Sequence, residues 1–598
     1  MNRTKVLCLV LSLMSIVLFS SCSNIFVKTD KATEAQTQTI YINNKYGTYL
    51  AGRVAHLRRD FNTAADFYEK FLEQNPDDKE LVSKIYIILA SEGRISEASV
   101  YAKESIKNGD KNNFTYIIVA VDEINQKQYA QALETIKNLQ GQVYEEFINP
   151  LMAAWAYVGE GKKEEALASL NNLSKDKSFR ALYNFHAGMI NDYFNDVEAA
   201  NKNYGVIVDE ASTEMSFRSL QIITNFYIRN GEKEKAVELV SKYYDDKLMV
   251  DMLKKLSASV KNSDPEKTKR IIVNAQDGLA EALFNITTVL RQGPVGVDLA
   301  HVFICLSIYS NQNYDLAKLL LADILESRGM YGAANAQYDS IEKDSLLYYT
   351  AQLKKSNNYT MMQEYGKSEK ILREMSRDNP DDYNVLLGLA DSLRMQENFK
   401  EAIKYYNDAI KTLPEVTNDN WTAFYALGVA YDRNGDWENA EGNLKKAIEL
   451  SQNHYLVLNY LGYSWIVHDK NVEEAFSMLI DAYTQAPNDG HIVDSLGWAF
   501  YKLGKYDEAT KYLEKASDLE PGNALINEHL GDAYFRKGRK IEATFQWKHA
   551  IVLKEDIEEV DIEKAKTKIN EGMPYEEPKM VYDNSFIEEK IEVLNSMD

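Results

Sequence analysis

Residues 494–521 read DSLGWAFYKLGKYDEATKYLEKASDLEP and hold the pattern that decides the fold. A Leu-Gly pair ending at Gly497 is followed by the aromatic Phe500, and Ala509 comes twelve residues after the glycine. A small residue in each of two antiparallel helices lets their backbones approach, whereas a bulkier side chain would hold them apart. The stretch therefore predicts a helical hairpin whose two helices cross at Gly497 and Ala509.

The small residue at the crossing recurs along almost the whole chain. It lies at Ala64, Ala98, Ala132, Ala166, Ala200, Ala236, Ala300, Ala334, Ser368, Ala402, Ala440, Ala475, Ala509 and Ala543. Nine of these thirteen steps equal 34 residues. A fixed period is the mark of a solenoid, in which each hairpin completes its core by stacking on the next. We therefore predict an all-α protein, an α-solenoid of about 14 helical hairpins.

This pattern resembles the tetratricopeptide repeat, whose signature is a Leu-Gly pair, an aromatic residue, a small residue and a closing proline. Copies with Leu427-Gly428 and Leu530-Gly531 follow it in order, and the resemblance extends over residues 46–551. Membership of this family implies a concave groove lined by the first helix of each repeat. It also implies a scaffold that binds proteins or peptides and performs no catalysis.

The period is interrupted between Ala236 and Ala300, where the step is 64 residues, so an extra helix is expected there. The remaining divisions follow from composition and from the apolar pattern. The predicted organisation is a signal peptide at 1–21, a lipidated flexible tether at 22–40, an N-terminal array at 41–240, an irregular helical insertion at 241–297, a C-terminal array at 298–554, a capping helix at 555–572 and an acidic tail at 573–598. We expect the cap to leave the C-terminal groove open, and the amphipathic tail to be able to occupy it.

The N-terminal segment has the features of a targeting signal. Arg3 and Lys5 precede an apolar run, residues 6–19, that is shorter than the ~20 residues of a membrane-spanning helix. The following Ser-Ser-Cys, ending at Cys22, resembles the lipobox of bacterial lipoproteins. The resemblance implies lipidation of Cys22 and cleavage before it, and the Ser23 that follows implies the outer membrane, facing the periplasm. An ordinary signal peptide with an incidental cysteine and an uncleaved anchor are the alternatives.

Composition and motifs argue against several classes of function. The formal charge is -22 and no basic block stands out, which disfavours nucleic-acid binding. The three cysteines, Cys8, Cys22 and Cys305, have neither metal-ligand nor redox spacing. Metalloprotease, nucleophile-elbow, phosphate-loop and dinucleotide motifs are absent from the sequence. We predict no enzyme activity, no cofactor and no metal; an undetected hydrolase or transferase is the remote alternative.

The candidate binding residues are those at groove positions of the last repeats. They are Asn459, Tyr463, His491, Asp494, Trp498, Tyr501, Glu528 and Asp532. Aromatic side chains among acidic ones suit a peptide with apolar anchors and some basic character.

The segments 458–464 and 492–498 resemble those of long bacterial lipoproteins built from tetratricopeptide repeats. One relative of this architecture is an outer-membrane adaptor that binds and activates a periplasmic carboxyl-terminal processing protease acting on cell-wall hydrolases. The resemblance implies an adaptor whose partners are such a protease and its substrates. The alternative is an assembly factor for an envelope or secretion machine, with envelope components as partners.

Overall fold

The structure, a computed structural model, describes residues 45–58, 60–175, 177–210, 215–243, 250–291, 296–553, 561–574 and 582–597. Within these ranges every regular element is helical and no strand occurs, which confirms the predicted all-α class. The predicted signal peptide, the tether and Cys22 lie outside the described residues. None of the described helices combines the length and the apolar character needed to span a bilayer.

The chain divides into two compact units, residues 1–361 and 362–598. The helices of the first unit are α1 Lys45–Leu57, α2 Phe61–Gln74, α3 Lys79–Ser91, α4 Ile95–Lys107, α5 Asn113–Asn125, α6 Tyr129–Ile136, α7 Asn149–Gly159, α8 Lys163–Ser169, α9 Asn171–Ser174, α10 Arg180–Tyr193, α11 Val197–Glu210, α12 Phe217–Arg229, α13 Lys233–Lys242, α14 Val250–Asn262, α15 Ala275–Leu290, α16 Gly296–Ser310, α17 Asp315–Glu326, α18 Tyr331–Asp339 and α19 Tyr348–Met361. Most of them pair as antiparallel hairpins, from α1–α2 to α17–α18.

The second unit continues the pattern with helices α20 Tyr365–Asp378, α21 Tyr383–Met395, α22 Phe399–Thr412, α23 Trp421–Arg433, α24 Trp437–Ser451, α25 Tyr455–Val467, α26 Val472–Gln485, α27 Gly490–Lys502, α28 Tyr506–Leu519, α29 Ala524–Arg536, α30 Lys540–Leu553, α31 Ile562–Glu571 and α32 Asn584–Met597. Helices α21 to α30 form five consecutive hairpins. Helix α31 lies within the predicted cap, and α32 lies within the predicted tail.

The repeating small residues have the role that their spacing predicts. All fourteen, from Ala64 to Ala543, have no exposed surface. Five glycines of the signature are just as tightly packed, because a Cβ atom built on each would come within 2.8 Å of the side chain sixteen residues later. These pairs are Gly52 and Tyr68, Gly188 and Tyr204, Gly428 and Leu444, Gly497 and Leu513, and Gly531 and Trp547. The 34-residue period of the small residues therefore reflects the regular spacing of the points where the two helices of each hairpin cross.

A larger side chain at one crossing tests this account. Ala509 is fully buried between α27 and α28, so we expect Ala509→Leu to lower the free energy of unfolding by ~1–3 kcal/mol through overpacking. Lys511→Leu, two residues further along α28 and exposed, is the control and should change stability by ~0.5 kcal/mol or less. Denaturant unfolding measures both variants. Equal effects of the two would contradict the assignment of Ala509 to the crossing.

Within the described residues of the predicted insertion, 241–297, the structure has two whole helices. These are α14, which packs on α12 and α13, and α15, which forms a tight hairpin with α16. Along the chain, the division between the two compact units falls between residues 361 and 362. Helix α15 buries most of its residues and contacts α7, which is distant in sequence, so this segment is part of the core of the first unit.

Candidate binding groove

The predicted binding residues of the second unit lie on first helices of consecutive hairpins. Helix α27 contacts both α25 and α29 directly. Helix α25 carries Asn459 and Tyr463, α27 carries the predicted residues from His491 to Tyr501, and α29 carries Glu528 and Asp532. We call the face lined by the first helices α21, α23, α25, α27 and α29 the C-terminal groove.

Three aromatic rings are stacked in this groove. The indole of Trp498 lies parallel to the imidazole of His529, with 3.9 Å between ring centroids, and parallel to the Tyr501 ring at 4.6 Å. Trp498 and Tyr501 are half-buried. Burial and the nearby Asp532 carboxylate raise the pKa of Tyr501 to about 12, so its hydroxyl stays protonated and accepts a 3.3 Å hydrogen bond from Arg536 Nε. The exposed part of the stack consists of portions of the Trp498 and Tyr501 rings, since His529 is buried.

Asp494 does not face a ligand but a histidine of the next repeat. Its Oδ1 lies 3.0 Å from His529 Nδ1, and both side chains are buried. Burial opposes protonation of the imidazole, but the Asp494 carboxylate outweighs it and raises the pKa of His529. The pair therefore stabilises the fold most at low pH, and this contribution is lost as the pH rises through the raised pKa.

Glu528 and Asp532 are also neutralised from within the chain. Lys568 Nζ, on the capping helix α31, donates to Glu528 Oε1 at 2.7 Å and to Asp532 Oδ2 at 2.8 Å. Trp547 Nε1 donates to Asp532 at 2.8 Å. Burial opposes protonation of Lys568, but the two carboxylates raise its pKa overall, so the ammonium is charged. The expectation that the cap leaves this face open is wrong, because a lysine of the cap lies between the two acids.

Among the described residues, one part of the groove forms no ion pair with the capping helix. It carries Asn459, Tyr463 and His491. The Asn459 Oδ1 atom is buried, and no described residue donates a hydrogen bond to it. Tyr463 is half-buried and packs on the core, while His491 is exposed at the first turn of α27. Further along the groove, Tyr460 donates a 2.8 Å hydrogen bond to Asp432, and its ring packs edge-on against Tyr425. This part of the groove is aromatic and amide-lined rather than acidic.

The amphipathic tail helix does not lie in the groove. The apolar side chains of α32, Ile587, Ile591 and Leu594, are buried, and the helix packs on α26, a second helix. Tyr582 Oη donates to the carbonyl of Leu503 in the turn after α27. Groove occupation by the tail, which its apolar spacing had suggested, is therefore not the observed arrangement.

The corresponding face of the first unit is filled by its own chain. The hairpin α15–α16 packs on the first helices α3, α5, α7 and α10. Gly278 of α15 lies so close to Trp155 of α7 that a Cβ atom there would be 2.0 Å from the indole. Tyr309 of α16 donates a 2.8 Å hydrogen bond to Asp122. The Arg218 guanidinium forms an ion pair with Glu281 of α15.

The described residues hold no group of three or more potential metal ligands. Cys305 is buried on α16, and burial raises the pKa of its thiol to about 12, which keeps it protonated and unreactive. The histidine most shifted by burial, His186, has a pKa lowered to about 3 and is hydrogen-bonded to Trp155 Nε1 at 3.1 Å. These buried groups are parts of the core.

Sequence reasoning missed His529 and Lys568. His529 lies one residue before Leu530 of the repeat signature, at a position that packs on the preceding hairpin. Lys568 lies three residues after the buried Ala565 on the charged cap. One feature of the sequence indicates such a cation. Glu528 and Asp532 are one helical turn apart, and because two like charges at that spacing repel each other, a positively charged side chain between them is favoured.

These features define an α-solenoid of stacked helical hairpins. Three models of the tetratricopeptide repeat match residues 381–453, 425–490 and 497–538. Residues 381–490 and 497–538, all in the second unit, therefore match tetratricopeptide repeats.

Known proteins resemble parts of the chain. A TPR repeat-containing protein of Pseudomonas aeruginosa is 27% identical over 161 residues, which is 27% of this chain and 26% of that protein. The BBSome complex member BBS4 of Bos taurus is 26% identical over 135 residues, 23% of this chain and 25% of that protein. The chain thus spans about a quarter of the length of these relatives. The structure of an APC/C hetero-tetramer, Cut9-Hcn1, aligns over 89% of this chain and 97% of that chain, with 15% identity and a TM-score of 0.38.

Proposed function

We propose that the chain is a non-catalytic adaptor that binds an extended segment of a partner protein in the C-terminal groove. Tetratricopeptide repeats are protein-interaction scaffolds, and the concave face of the first unit is filled by α15–α16. The partner segment is apolar or aromatic, with backbone donors, rather than basic. The acids Asp494, Glu528 and Asp532 already have cationic or hydrogen-bonding partners, so they attract a basic ligand less than their sequence suggested.

The observation that carries this proposal is the buried Oδ1 of Asn459. A buried acceptor without a donor costs free energy. The Asn459 side chain as a whole is half-buried, so a rotation of its amide turns Oδ1 towards the groove, where a backbone N–H of a bound segment satisfies it. On the next repeat, the half-buried rings of Trp498 and Tyr501 offer aromatic edges against which an aromatic or apolar anchor packs.

Asn459→Ala is the test of the groove. We expect it to weaken retention of the partner by roughly threefold to tenfold, the value of one hydrogen bond, while the melting temperature stays the same or rises because a buried orphan acceptor is removed. Asn443→Ala, on the second helix α24, is the control and should leave retention unchanged. Co-purification from detergent-solubilised envelopes measures both. Retention equal to that of the unaltered chain in Asn459→Ala would contradict the proposal.

The same co-purification separates two adaptor roles. We propose recruitment of a periplasmic carboxyl-terminal processing protease, which predicts that a serine protease and cell-wall hydrolases are retained. Retention of secretion-channel components instead would identify an assembly factor. Trp498→Ala is less informative here, because the indole lies between His529 and Tyr501 and its loss alters packing as well as the groove surface.

We further propose that lipid on Cys22 holds the adaptor on the outer membrane, facing the periplasm. The support is the sequence alone: a short apolar core followed by Ser-Ser-Cys. Two or three acyl chains make an effectively permanent anchor, at ~0.8 kcal/mol for each buried CH₂ group.

Cys22→Ala should abolish incorporation of labelled fatty acid and leave uncleaved precursor or soluble protein. Metabolic labelling and membrane fractionation measure the two effects. Cys8→Ala, within the apolar core, is the control and should keep the label. A mature N-terminus other than residue 22, with membrane association unchanged, would contradict lipidation at Cys22.

A further inference from the structure

The first helix of the first unit exposes an apolar stripe. Tyr46, Leu50, Val54 and Leu57 are 75%, 57%, 47% and 76% exposed. Their spacing of three or four residues places all four side chains on one face of α1. We call this face the α1 stripe.

The equivalent face is covered in an interior repeat. The signature glycines Gly52 and Gly531 align the two repeats. Two residues before the glycine, Leu50 corresponds to His529, and two residues after it, Val54 corresponds to Ala533. Both residues of α29 are buried, since the preceding hairpin packs on that helix. In α1 the two positions hold larger apolar side chains, and no described residue covers them.

The charge of α1 is unusual for this protein. The chain has 90 acidic against 68 basic residues, yet α1 contains no Asp or Glu. Arg53 of α1 and Arg58, the residue after its end, are exposed. The N–H of Arg58 donates to the carbonyl of Val54, so helical geometry extends to it, and at 3.6 residues per turn the two arginines flank the stripe on opposite sides. The nearest acid in sequence, Asp60, caps α2 by accepting from Thr63 N.

We propose that the α1 stripe lies on the surface of a lipid bilayer that contains anionic headgroups. Tyr46, Leu50, Val54 and Leu57 enter the boundary between headgroups and acyl chains, and Arg53 and Arg58 contact lipid phosphates. An amphipathic helix with a basic flank binds membranes in this way. A second copy of the chain fits the stripe less well. A two-fold contact between two α1 helices brings their arginines together without any acid on either helix to pair with them.

The test places an environment-sensitive fluorophore on the stripe. In a full chain with Cys8→Ser, Cys22→Ser and Leu50→Cys, the label attaches at position 50 alone, because Cys305 is buried. The emission should shift to the blue with vesicles of equal parts phosphatidylcholine and phosphatidylglycerol, and not with phosphatidylcholine alone. Adding Arg53→Ala and Arg58→Ala should weaken this response about thirtyfold, without lowering the melting temperature.

The matched control carries the label on a different exposed apolar residue. Phe545 of α30 is 66% exposed, and the label at Phe545→Cys should not respond to either vesicle. No shift at position 50, an equal shift at both positions, or a shift in neutral vesicles that survives loss of the arginines would overturn the proposal. A blue shift that grows with protein concentration before vesicles are added would assign the stripe to a second copy and overturn it too. The chain used lacks the lipid-bearing cysteine, so the result does not depend on lipidation at Cys22.

Discussion

Lys568→Met is expected to destabilise the second unit by ~3–5 kcal/mol, the largest effect of any single substitution in the groove. The substitution keeps most of the side-chain volume but removes the ammonium that lies 2.7 Å from Glu528 and 2.8 Å from Asp532. Both carboxylates are buried, so they are left as an uncompensated pair of like charges one turn apart on α29. Thermal and denaturant unfolding measure the loss.

The matched control is Lys566→Met, two residues earlier on α31. Lys566 is 53% exposed and pairs only with the exposed Glu563, so its loss should cost ~0.5 kcal/mol or less. Burial raises the pKa of Asp532 above its usual value, which means that the folded state takes up protons more readily than the unfolded chain. The Lys568→Met defect should therefore shrink as the pH is lowered towards 5. Equal losses in the two variants would show that the cap lysine is not a buried partner of the acids.

Gly278→Ala is expected to dislodge the hairpin α15–α16 from the face it fills. The new methyl group would lie 2.0 Å from the indole of Trp155, a ring without exposed surface. We expect a loss of ~3 kcal/mol or more, at the upper end of overpacking effects. Cys305 of α16 reports the movement, because it is buried in the unaltered protein and should become reactive towards a thiol reagent. Mass spectrometry of the Cys305 peptide measures this.

Gly205→Ala is the control for the backbone effect of replacing glycine. Gly205 also lies within a helix, α11, but a Cβ atom there meets nothing within 4 Å. The same substitution should therefore be neutral or stabilise the protein by up to ~1 kcal/mol. An unreactive Cys305 in Gly278→Ala would contradict the packing of α15 against α7.

The hairpins could be predicted from the sequence because their determinants are local and repeated. Ala509 and Gly497 are small for a reason that recurs in each repeat, and the structure buries every marker of the series. The filling of the first unit could not be predicted, because it depends on contacts such as that of Gly278 with Trp155, more than a hundred residues away. Apolar periodicity identifies α15 as a helix but does not reveal which surface covers it.

In the groove, too, the sequence predicted the positions of the residues but not their contacts with distant parts of the chain. Repeat position placed Asn459, Trp498 and Asp532 on first helices of consecutive hairpins, and the structure has them there. Their partners come from elsewhere: His529 from the next repeat and Lys568 from the cap. The sequence predicts a ligand with apolar anchors and some basic character. Because the acids are paired across repeats, the ligand that we now propose keeps the apolar anchors and lacks the basic character.

The most direct test of the account is photo-crosslinking from the groove of the full chain in intact cells. A benzoylphenylalanine crosslinker replaces Asn459 on α25 in one strain and Asn443 on the second helix α24 in another. We expect a discrete partner adduct from position 459 and none from position 443. An adduct of equal yield from both positions, or one from position 443 alone, would contradict binding in the C-terminal groove.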